Sequence, residues 1–291
     1  MTEAYKLSNL SIAFYGAGSM AEAILRGLVE AKLTVPSRIT VLNRSNAERL
    51  RELSERYGVV PAIEDNRKLE ALKNADVILL GMKPKDAAAA LRSLRPLLRS
   101  EQLLVSVIAG LSISTMHRLL EHPQPIVRTM PNTSSTIGLG ATGISFSETV
   151  DEAQRAAALA MFDAVGMSVV VDEPLIEAVN GVSGSGPAYI YFMMEAMIDA
   201  GVRLGLTREA ATALTAQTVI GAGEMVKLTG EEPGELRRKV TSPNGTTFAA
   251  LEVMREFGFQ EGMNKAILRC AERAREMGEA IEAEASAPQQ Q

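Results

Sequence analysis

The stretch Ser11-Ile12-Ala13-Phe14-Tyr15-Gly16-Ala17-Gly18-Ser19-Met20-Ala21 decides the fold of the first half of this chain. A short apolar run ends on Gly16, and residues at helical spacing follow from Gly18, which predicts a strand, a tight turn and a helix. Glycine at 16 permits the tight turn, and glycine at 18 lets a pyrophosphate approach the N–H groups of the helix start. Ala21 replaces the third glycine of the usual pattern and is an accepted small substitute. The stretch favours dinucleotide binding over a simple strand-to-helix turn.

Further apolar runs predict the sheet to which this strand belongs. Because the runs are continuous and separated by helical segments, they are typical of a parallel sheet covered on both faces. Residues Arg128 to Thr133 are interpreted as a structured loop. The predicted strands are Ile39–Asn43, Val59–Val60, Asp76–Gly81 and Leu103–Ile108, with further short strands at Pro125–Arg128 and near Val169–Val171.

The sequence changes character after about Pro174, where strand signals vanish. We therefore predict an α/β protein with a Rossmann-type parallel-sheet domain over residues 1–172 and an all-α dimerisation domain over residues 173–291. The helical segments are rich in small and apolar residues, which indicates that some of them lie in a homo-oligomer interface. The predicted helices are Pro187–Leu204, Thr207–Leu228, Gly234–Val240, Thr246–Phe257 and Gln260 to about Glu282.

Composition excludes several classes of protein. The 291 residues are 46% hydrophobic and 22% charged, which is typical of a soluble globular protein. A net charge of −5 argues against a nucleic-acid partner, because binding phosphates needs a concentrated basic face. No apolar run is long enough to cross a membrane, and residues Met1–Lys6 lack a signal-peptide pattern, so a cytoplasmic location is expected. With Cys270 as the single cysteine and no histidine after His122, no metal site is predicted.

The end of the second predicted strand bears on the choice of dinucleotide. An NAD enzyme usually places Asp or Glu about 20 residues after the glycines, to bind the ribose hydroxyls. This chain has Asn43-Arg44-Ser45 there, so no carboxylate repels a 2′-phosphate and Arg44 offers a planar fork to bind it. The predicted cofactor is NADPH rather than NADH. Alternatively, Arg44 is a solvated residue at a helix start.

Two later strand ends complete the same edge of the predicted sheet. Gly81-Met82-Lys83-Pro84 closes one strand and Ala109-Gly110 closes the next, at the carboxyl edge where open parallel sheets bind ligands. Lys83 is interpreted as a cofactor contact, with a surface charge as the alternative.

The loop Thr241–Thr247, with the sequence Thr-Ser-Pro-Asn-Gly-Thr-Thr, separates two predicted helices. Pro243 disfavours helical angles at the residue before it, and Asn244-Gly245 tolerates positive φ, so a turn is expected. The N–H groups of the new helix and the loop hydroxyls together form a candidate cradle for a small anion. The alternative is a plain helix-turn-helix corner with Thr246 as the N-cap.

These motifs together resemble the pyrroline-5-carboxylate reductase family, in order and in spacing, from about Ser11 to about Met277. The family usually has glycine where Asn244 stands and proline where Ser134 stands. Asparagine tolerates positive φ, so we expect the loop geometry to survive. The resemblance is carried by Gly16–Ala21, Met82-Lys83-Pro84, Arg128–Thr133, Val182-Ser183-Gly184-Ser185-Gly186-Pro187-Ala188-Tyr189 and Thr241–Thr247.

The resemblance implies the last step of proline biosynthesis, in which NADPH delivers a hydride to C5 of 1-pyrroline-5-carboxylate and a proton ends on the ring nitrogen. It places the substrate carboxylate near Gly245, Thr246 and Thr247, with the Thr247 hydroxyl as the catalytic group near the ring nitrogen. Ser242 would support the loop, and Glu173 would lie near the nicotinamide. It also implies a dimer or a larger homo-oligomer. The predicted cofactor site comprises Tyr15, Gly16, Ala17, Gly18, Ser19, Met20, Asn43, Arg44, Ser45, Asn66, Met82, Lys83, Pro84 and Ala109.

Two alternatives to this activity remain at the level of sequence. A β-hydroxyacid dehydrogenase shares the domain layout. The pattern typical of that family at the interdomain helix is Gly-x-Gly-x-x-x-Lys, and here Ile190 stands in the lysine position. A hydroxyacid substrate would then lack its base. A non-catalytic protein that senses NADPH is the second alternative. A sensor would not need the loop Thr241–Thr247, which speaks against it.

Overall fold

The computed structural model describes residues 6–286, which divide into two compact units. One unit holds the chain up to Ser185 and again from Arg269, and the other holds Gly186–Leu268. Residues 1–5, on which the expected lack of a signal peptide partly rests, lie outside the described residues.

The first unit is built on a sheet with the Rossmann strand order. Within residues 6–286 the eight-stranded sheet has the order β3-β2-β1-β4-β5-β6-β7-β8, and every neighbouring pair is parallel except β6 and β7. The order reverses between β1 and β4, which is the switch point of a dinucleotide fold. The predicted parallel sheet is confirmed. The strands are β1 (Ile12–Tyr15), β2 (Ile39–Leu42), β3 (Val60–Pro61), β4 (Val77–Leu80), β5 (Leu103–Ser106), β6 (Ile126–Met130), β7 (Gly140–Phe146) and β8 (Gly166–Val170).

Helices cover both faces of this sheet, as predicted. Along β4, Val77 and Leu79 belong to one buried cluster, while Ile78 and Leu80 belong to another. Alternation along the strand sends these side chains to opposite faces, so each face has its own apolar core. The helices of this part of the chain are α1 (Ser19–Glu30), α2 (Ala47–Tyr57), α3 (Asp65–Asn74), α4 (Pro84–Leu94), α5 (Ile113–Leu120), α6 (Glu152–Asp163) and α7 (Ile176–Val179).

Two features of the sheet differ from the sequence interpretation. β6 extends to Met130, so the first half of the segment interpreted as a loop is strand. β7 was not predicted, and it pairs antiparallel with β6 and parallel with β8. Its glycines, Gly140 and Gly143, weaken the apolar pattern by which a strand is recognised.

The second unit is helical, as predicted. The side chain of Thr207 accepts a hydrogen bond from the amide of Ala210 at 3.2 Å, so Thr207 caps α9, and Gly230 ends the same helix with φ of +67°. Among the described residues, no helix is both long and apolar enough to span a bilayer. The helices are α8 (Gly186–Arg203), α9 (Arg208–Thr229), α10 (Pro233–Lys239), α11 (Thr246–Glu256) and α12 (Phe259–Ser286), whose later part belongs to the first unit.

The later part of α12 packs against the helices of the first unit. A Cβ at Gly278 would lie 2.6 Å from the carbonyl oxygen of Gly110, so this glycine allows the helix to contact the turn after β5. Arg118 on α5 donates to Glu282 at 2.8 Å, and Arg92 on α4 donates to the carbonyl of Glu284 at 3.0 Å. Both cations lie at the carboxyl end of α12, where the helix dipole favours positive charge.

Candidate functional site

The glycine turn after β1 is fixed by the close approach of two backbone segments. Gly16 has φ of +122°, and a Cβ there would lie 2.4 Å from the carbonyl carbon of Gly81 and 2.8 Å from the amide of Met82. Backbone atoms at the end of β4 cannot retreat without disturbing the sheet, so the fold requires glycine at position 16.

Gly18 differs from Gly16, because the fold does not require it. It precedes α1 with φ of −76°, which any residue adopts, and a Cβ there would come no closer than 4.0 Å to the carbonyl oxygen of Gly81. The space left by the absent side chain faces the amino terminus of α1, where N–H groups lack helical partners. A bound pyrophosphate would account for this space, so the residues present fit a dinucleotide.

A charged network between α1 and α2 supports the turn. Arg49 donates from Nε to the carbonyl oxygen of Ala17 at 3.2 Å, and its guanidinium also pairs with Glu22. Tyr57 donates its hydroxyl to Glu22 at 2.8 Å. Burial raises the pKa of Glu22, but the hydrogen bonds from Arg49 and Tyr57 outweigh it, so the pKa lies below the ordinary value of 4.5. The ionised carboxylate therefore holds Arg49 in contact with the carbonyl of Ala17 in the turn.

A cavity of about 730 Å³ lies at this carboxyl edge of the sheet, a size that suits a small-molecule ligand. Asn66 and Ala109 are predicted cofactor residues outside its lining; Asn66 lies on α3 and accepts from the amide of Arg67, and Ala109 lies in the turn after β5. Ser19, Met20 and Pro84 are also outside it, in the first turns of α1 and α4. The predicted residues that line it are Tyr15, Gly16, Ala17, Gly18, Asn43, Arg44, Ser45, Met82 and Lys83.

The loop after β2 presents Arg44 to this cavity. The side chain of Asn43 accepts from the amide of Asn46 at 2.9 Å and donates to its carbonyl at 2.8 Å, which closes the loop around Arg44. Arg44 donates from Nη1 to Oδ1 of Asp86 at 2.9 Å, and its side chain is 82% exposed. Arg44 therefore lies at the cavity with its side chain accessible.

Four charged residues of the cavity lining were not predicted from the sequence. Lys68 and Lys85 add positive charge, while Asp65 and Asp86 add negative charge. Lys85 could have been found, because it follows the strand-end motif Met82-Lys83-Pro84. The others had no local signal: Asp86 is 42 residues from Arg44 along the chain, and only folding brings the two together.

The loop Thr241–Thr247 lies in the second unit and forms a turn. Asn244 has φ of +57°, so the asparagine occupies the left-handed conformation expected for it. The amide of Gly245 donates to the carbonyl of Ser242 at 3.0 Å, which closes the turn. A Cβ at Gly245 would lie 2.3 Å from Oγ of Ser242, so glycine there permits the hydroxyl to lie against the backbone.

Helix α11 begins directly after this turn. Its N-cap is Gly245 and its first residue is Thr246, so the alternative in which Thr246 is the N-cap is wrong. The amides of the first helical turn have no helical carbonyl to which they can donate. They form the positive end of the helix dipole, which lies at the loop. Thr247 is half-buried, whereas Ser242 and Thr246 are exposed. The geometry suits binding of a small carboxylate at the helix start.

Glu173 lies in the first unit and has protein partners there. Its Oε1 accepts from the amide of Ile113, the first residue of α5, at 2.6 Å and from Nη1 of Arg128 at 3.2 Å. These contacts place its charge at a helix start beside a buried cation. A role in substrate binding stays a prediction for this residue.

The motif around Ser185 includes an irregular helical segment that the sequence did not indicate. Residues Asn180–Gly184 form a π-helix, and the amide of Ser185 donates to the carbonyl of Asn180 at 2.9 Å. The thiol of Cys270 donates to Oγ of Ser185 at 3.2 Å. π-helical turns occur frequently at functional sites, so the segment marks this motif as more than a connector.

Comparisons with known proteins match both parts of the chain. The family described as pyrroline-5-carboxylate reductase dimerisation matches residues 173–277, and the family described as NADP oxidoreductase coenzyme F420-dependent matches residues 11–110. A pyrroline-5-carboxylate reductase 1 of Bacillus subtilis is 42% identical over 93% of this chain and 90% of its own length. The pyrroline-5-carboxylate reductase of Pseudomonas aeruginosa is 40% identical over 94% of this chain and 100% of its own.

Solved structures of reductases with these names match this chain over most of its length. A pyrroline-5-carboxylate reductase from Coxiella burnetii superposes with a TM-score of 0.85 at 38% identity, covering 92% of this chain and 98% of its own. The pyrroline carboxylate reductase of Plasmodium falciparum, solved with NADP bound, superposes with a TM-score of 0.82 at 27% identity, covering 93% and 99%.

Proposed function

The chain belongs to the pyrroline-5-carboxylate reductase family, and we propose that it reduces 1-pyrroline-5-carboxylate to L-proline with NADPH, the last step of proline biosynthesis. The observation that carries the proposal is the loop Thr241–Thr247. Dinucleotide binding does not need it, and it presents a helix start and hydroxyls of the kind that a small cyclic carboxylate requires.

The reaction converts the C5=N bond of the imine into a C–N single bond, with one hydride added at C5 and one proton at nitrogen. The cofactor supplies the hydride when it is bound. A protonated imine is already a strong hydride acceptor, so the protein acts mainly by positioning and electrostatics. The amides near Gly245, Thr246 and Thr247 would hold the carboxylate, and the Thr247 hydroxyl would orient the ring nitrogen. Ser242 keeps the turn closed, and Glu173 is proposed near the nicotinamide end.

The proposed cofactor site is the glycine turn and the cavity beside it. Gly18 leaves the start of α1 accessible to the pyrophosphate, and Arg44 with Ser45 would take the 2′-phosphate. Asn66 and Ala109 stay in the proposed site as residues at its margin. Preference for NADPH over NADH follows from the cation in place of a carboxylate at the end of β2.

We propose residues 1–172 as the NADPH-binding domain and 173–291 as the substrate-binding and dimerisation domain. In the single chain the second unit exposes large apolar side chains: Leu204 is 87%, Phe257 83% and Phe192 77% exposed. Exposed apolar groups of this size mark a subunit interface, which agrees with the dimerisation family matched there. The active unit is therefore a dimer or a larger homo-oligomer.

One assay tests the activity. Oxidation of NADPH and of NADH is followed with synthetic 1-pyrroline-5-carboxylate at several concentrations, and proline is identified as the product. We expect the imine to be reduced with either cofactor, with a higher kcat/KM for NADPH than for NADH. NADPH binding without oxidation would favour the sensor, and oxidation of NADPH by the carbonyl form of a β-hydroxyacid in place of the imine would favour the dehydrogenase.

A variant tests the cofactor assignment. Arg44→Ala should weaken the binding of NADPH much more than that of NADH, because only NADPH carries the 2′-phosphate. Equal losses would refute the phosphate assignment. A cytoplasmic location stays a prediction, and fractionation of the source cells tests it.

A further inference from the structure

The carboxylate of Asp86 occupies the partner position of the arginine proposed to bind the 2′-phosphate. Asp86 lies in the first turn of α4, where its amide donates to the carbonyl of Lys83 at 2.9 Å. Its Oδ1 accepts from Nη1 of Arg44 at 2.9 Å. Both residues line the cavity that begins at the glycine turn. Arg44 is therefore already paired before any phosphate arrives.

The two partners differ in their freedom to move. The side chain of Arg44 is 82% exposed, whereas that of Asp86 is 32% exposed and lies in the first turn of α4, where the helix dipole favours negative charge. An ion pair as exposed as this one contributes little to stability, about 0.2–1 kcal/mol. The arginine can therefore leave at small cost, while the carboxylate stays beside the cavity.

The other charges of the cavity do not replace this pairing. Arg44, Lys68, Lys83 and Lys85 are the cations among its described lining residues, and Asp65 and Asp86 are the carboxylates. Asp65 accepts from Lys68 at 3.0 Å, so that carboxylate has a partner of its own on α3. Asp86 is thus the carboxylate that competes directly for Arg44.

We propose that Asp86 determines cofactor specificity by competing with the 2′-phosphate for Arg44. The inference rests on the proposed use of a dinucleotide. A 2′-phosphate must take Arg44 from Asp86, whereas a ribose with a 2′-hydroxyl leaves the pair intact. Asp86 therefore reduces the difference in affinity between NADPH and NADH that Arg44 creates, so that NADH can still bind.

The test measures binding rather than turnover. Adenosine 2′,5′-bisphosphate and adenosine 5′-monophosphate, which lack the nicotinamide, are titrated calorimetrically into the full-length protein and into Asp86→Asn. We expect the variant to bind the bisphosphate about 1.5- to 5-fold more tightly and the monophosphate unchanged, because the 2′-phosphate no longer competes with a carboxylate for Arg44. Asp86→Ser is the second variant if Asp86→Asn does not fold.

Matched controls separate the pairing from general charge effects. Asp65→Asn removes the same charge from the same cavity and should change the ratio of the two affinities less than Asp86→Asn does. In an Arg44→Ala background, Asp86→Asn should lose most of its effect. An unchanged or weaker bisphosphate affinity in Asp86→Asn, or an equal gain in Asp65→Asn, would overturn the proposal.

The reductase assay is read separately from these titrations. A parent protein that binds the bisphosphate but does not reduce the imine disproves the proposed reaction and leaves the Asp86 comparison valid. A parent protein that binds neither nucleotide disproves both.

Discussion

Arg128, almost wholly buried on β6, donates from Nη2 to Oε1 of Glu177 at 2.6 Å. Nη1 of the same guanidinium donates to Glu173 at 3.2 Å, so two carboxylates from the segment after β8 pair with one buried cation. Two of the acidic residues that precede the helical unit are thus tied to the sheet by a single side chain.

Breaking this cluster should destabilise the first unit. Glu177→Ala leaves Nη2 of the buried Arg128 without its acceptor, while Glu173 still compensates the charge, so the loss should be about 1–3 kcal/mol. The free energy of unfolding in urea measures the loss. Asp199→Ala, which breaks the exposed pair with Arg208, is the control and should cost less than about 1 kcal/mol. Similar losses in both variants would contradict a special role for Arg128.

The two glycines of the turn should separate stability from cofactor binding. Gly16→Ala forces a Cβ against the backbone of Gly81 at a positive φ, so it should destabilise the protein by about 1–3 kcal/mol or more. Gly18→Ala meets no protein atom closer than 4.0 Å and should leave the melting temperature unchanged or slightly raised. The second variant should nevertheless bind NADPH at least tenfold more weakly in a fluorescence titration. Normal NADPH affinity in Gly18→Ala would mean that the pyrophosphate lies elsewhere.

The parallel strands and the glycine turn could be predicted because their signals are local. Apolar runs and the spacing of Gly16 and Gly18 depend on residues that are neighbours in sequence. β7 could not be predicted, because its glycines serve contacts with distant residues. A Cβ at Gly140 would lie 2.8 Å from the carbonyl oxygen of Val165, and one at Gly143 would lie 2.6 Å from Cγ1 of Val179. Such glycines resemble strand breakers until their neighbours are known.

In the candidate site, too, features determined by neighbouring residues could be predicted and tertiary contacts could not. Asn244 could be assigned a positive φ, because asparagine followed by glycine after a proline determines the turn locally. The pairing of Arg44 with Asp86 could not be predicted, since it joins the end of β2 to the start of α4. The contacts of Glu173 with Arg128 and Ile113 likewise depend on tertiary packing.

Glu22 should make stability depend on acid pH. Its pKa in the folded protein lies below 4.5, so the folded state binds fewer protons than the unfolded state there. The resulting stability is fully present above about pH 4.5 and is lost as the pH falls through the folded pKa. Glu22→Gln should therefore lower the melting temperature at pH 7, and the difference from the parent should shrink only as the pH falls below about 4.5 and through the folded pKa. Glu55→Gln, exposed on α2, is the control and should show no such convergence.

Asn244 should tolerate glycine but not a β-branched residue. Its φ of +57° is available to glycine without strain, whereas valine there is a steric outlier. Asn244→Gly should keep kcat/KM within about threefold of the parent, and Asn244→Val should lower it by tenfold or more through distortion of the turn, which corresponds to about 1.4 kcal/mol. A large loss in Asn244→Gly would instead show that the amide side chain contacts the substrate.

Thr247 supplies the sharpest test of the substrate site, because valine has the same shape and lacks the hydroxyl. If the hydroxyl hydrogen-bonds the substrate, Thr247→Val should lose about 1–3 kcal/mol of transition-state binding, roughly 5- to 150-fold in kcat/KM. Thr218→Val on α9 is the matched control: its hydroxyl donates to the carbonyl of Leu214 at 2.8 Å, so the same substitution removes a helix-internal hydrogen bond without touching the loop. NADPH affinity should stay constant in both variants, because neither residue lines the cofactor cavity. An unchanged kcat/KM for Thr247→Val would remove this hydroxyl from the chemistry and leave the amides of α11 as the groups that position the imine.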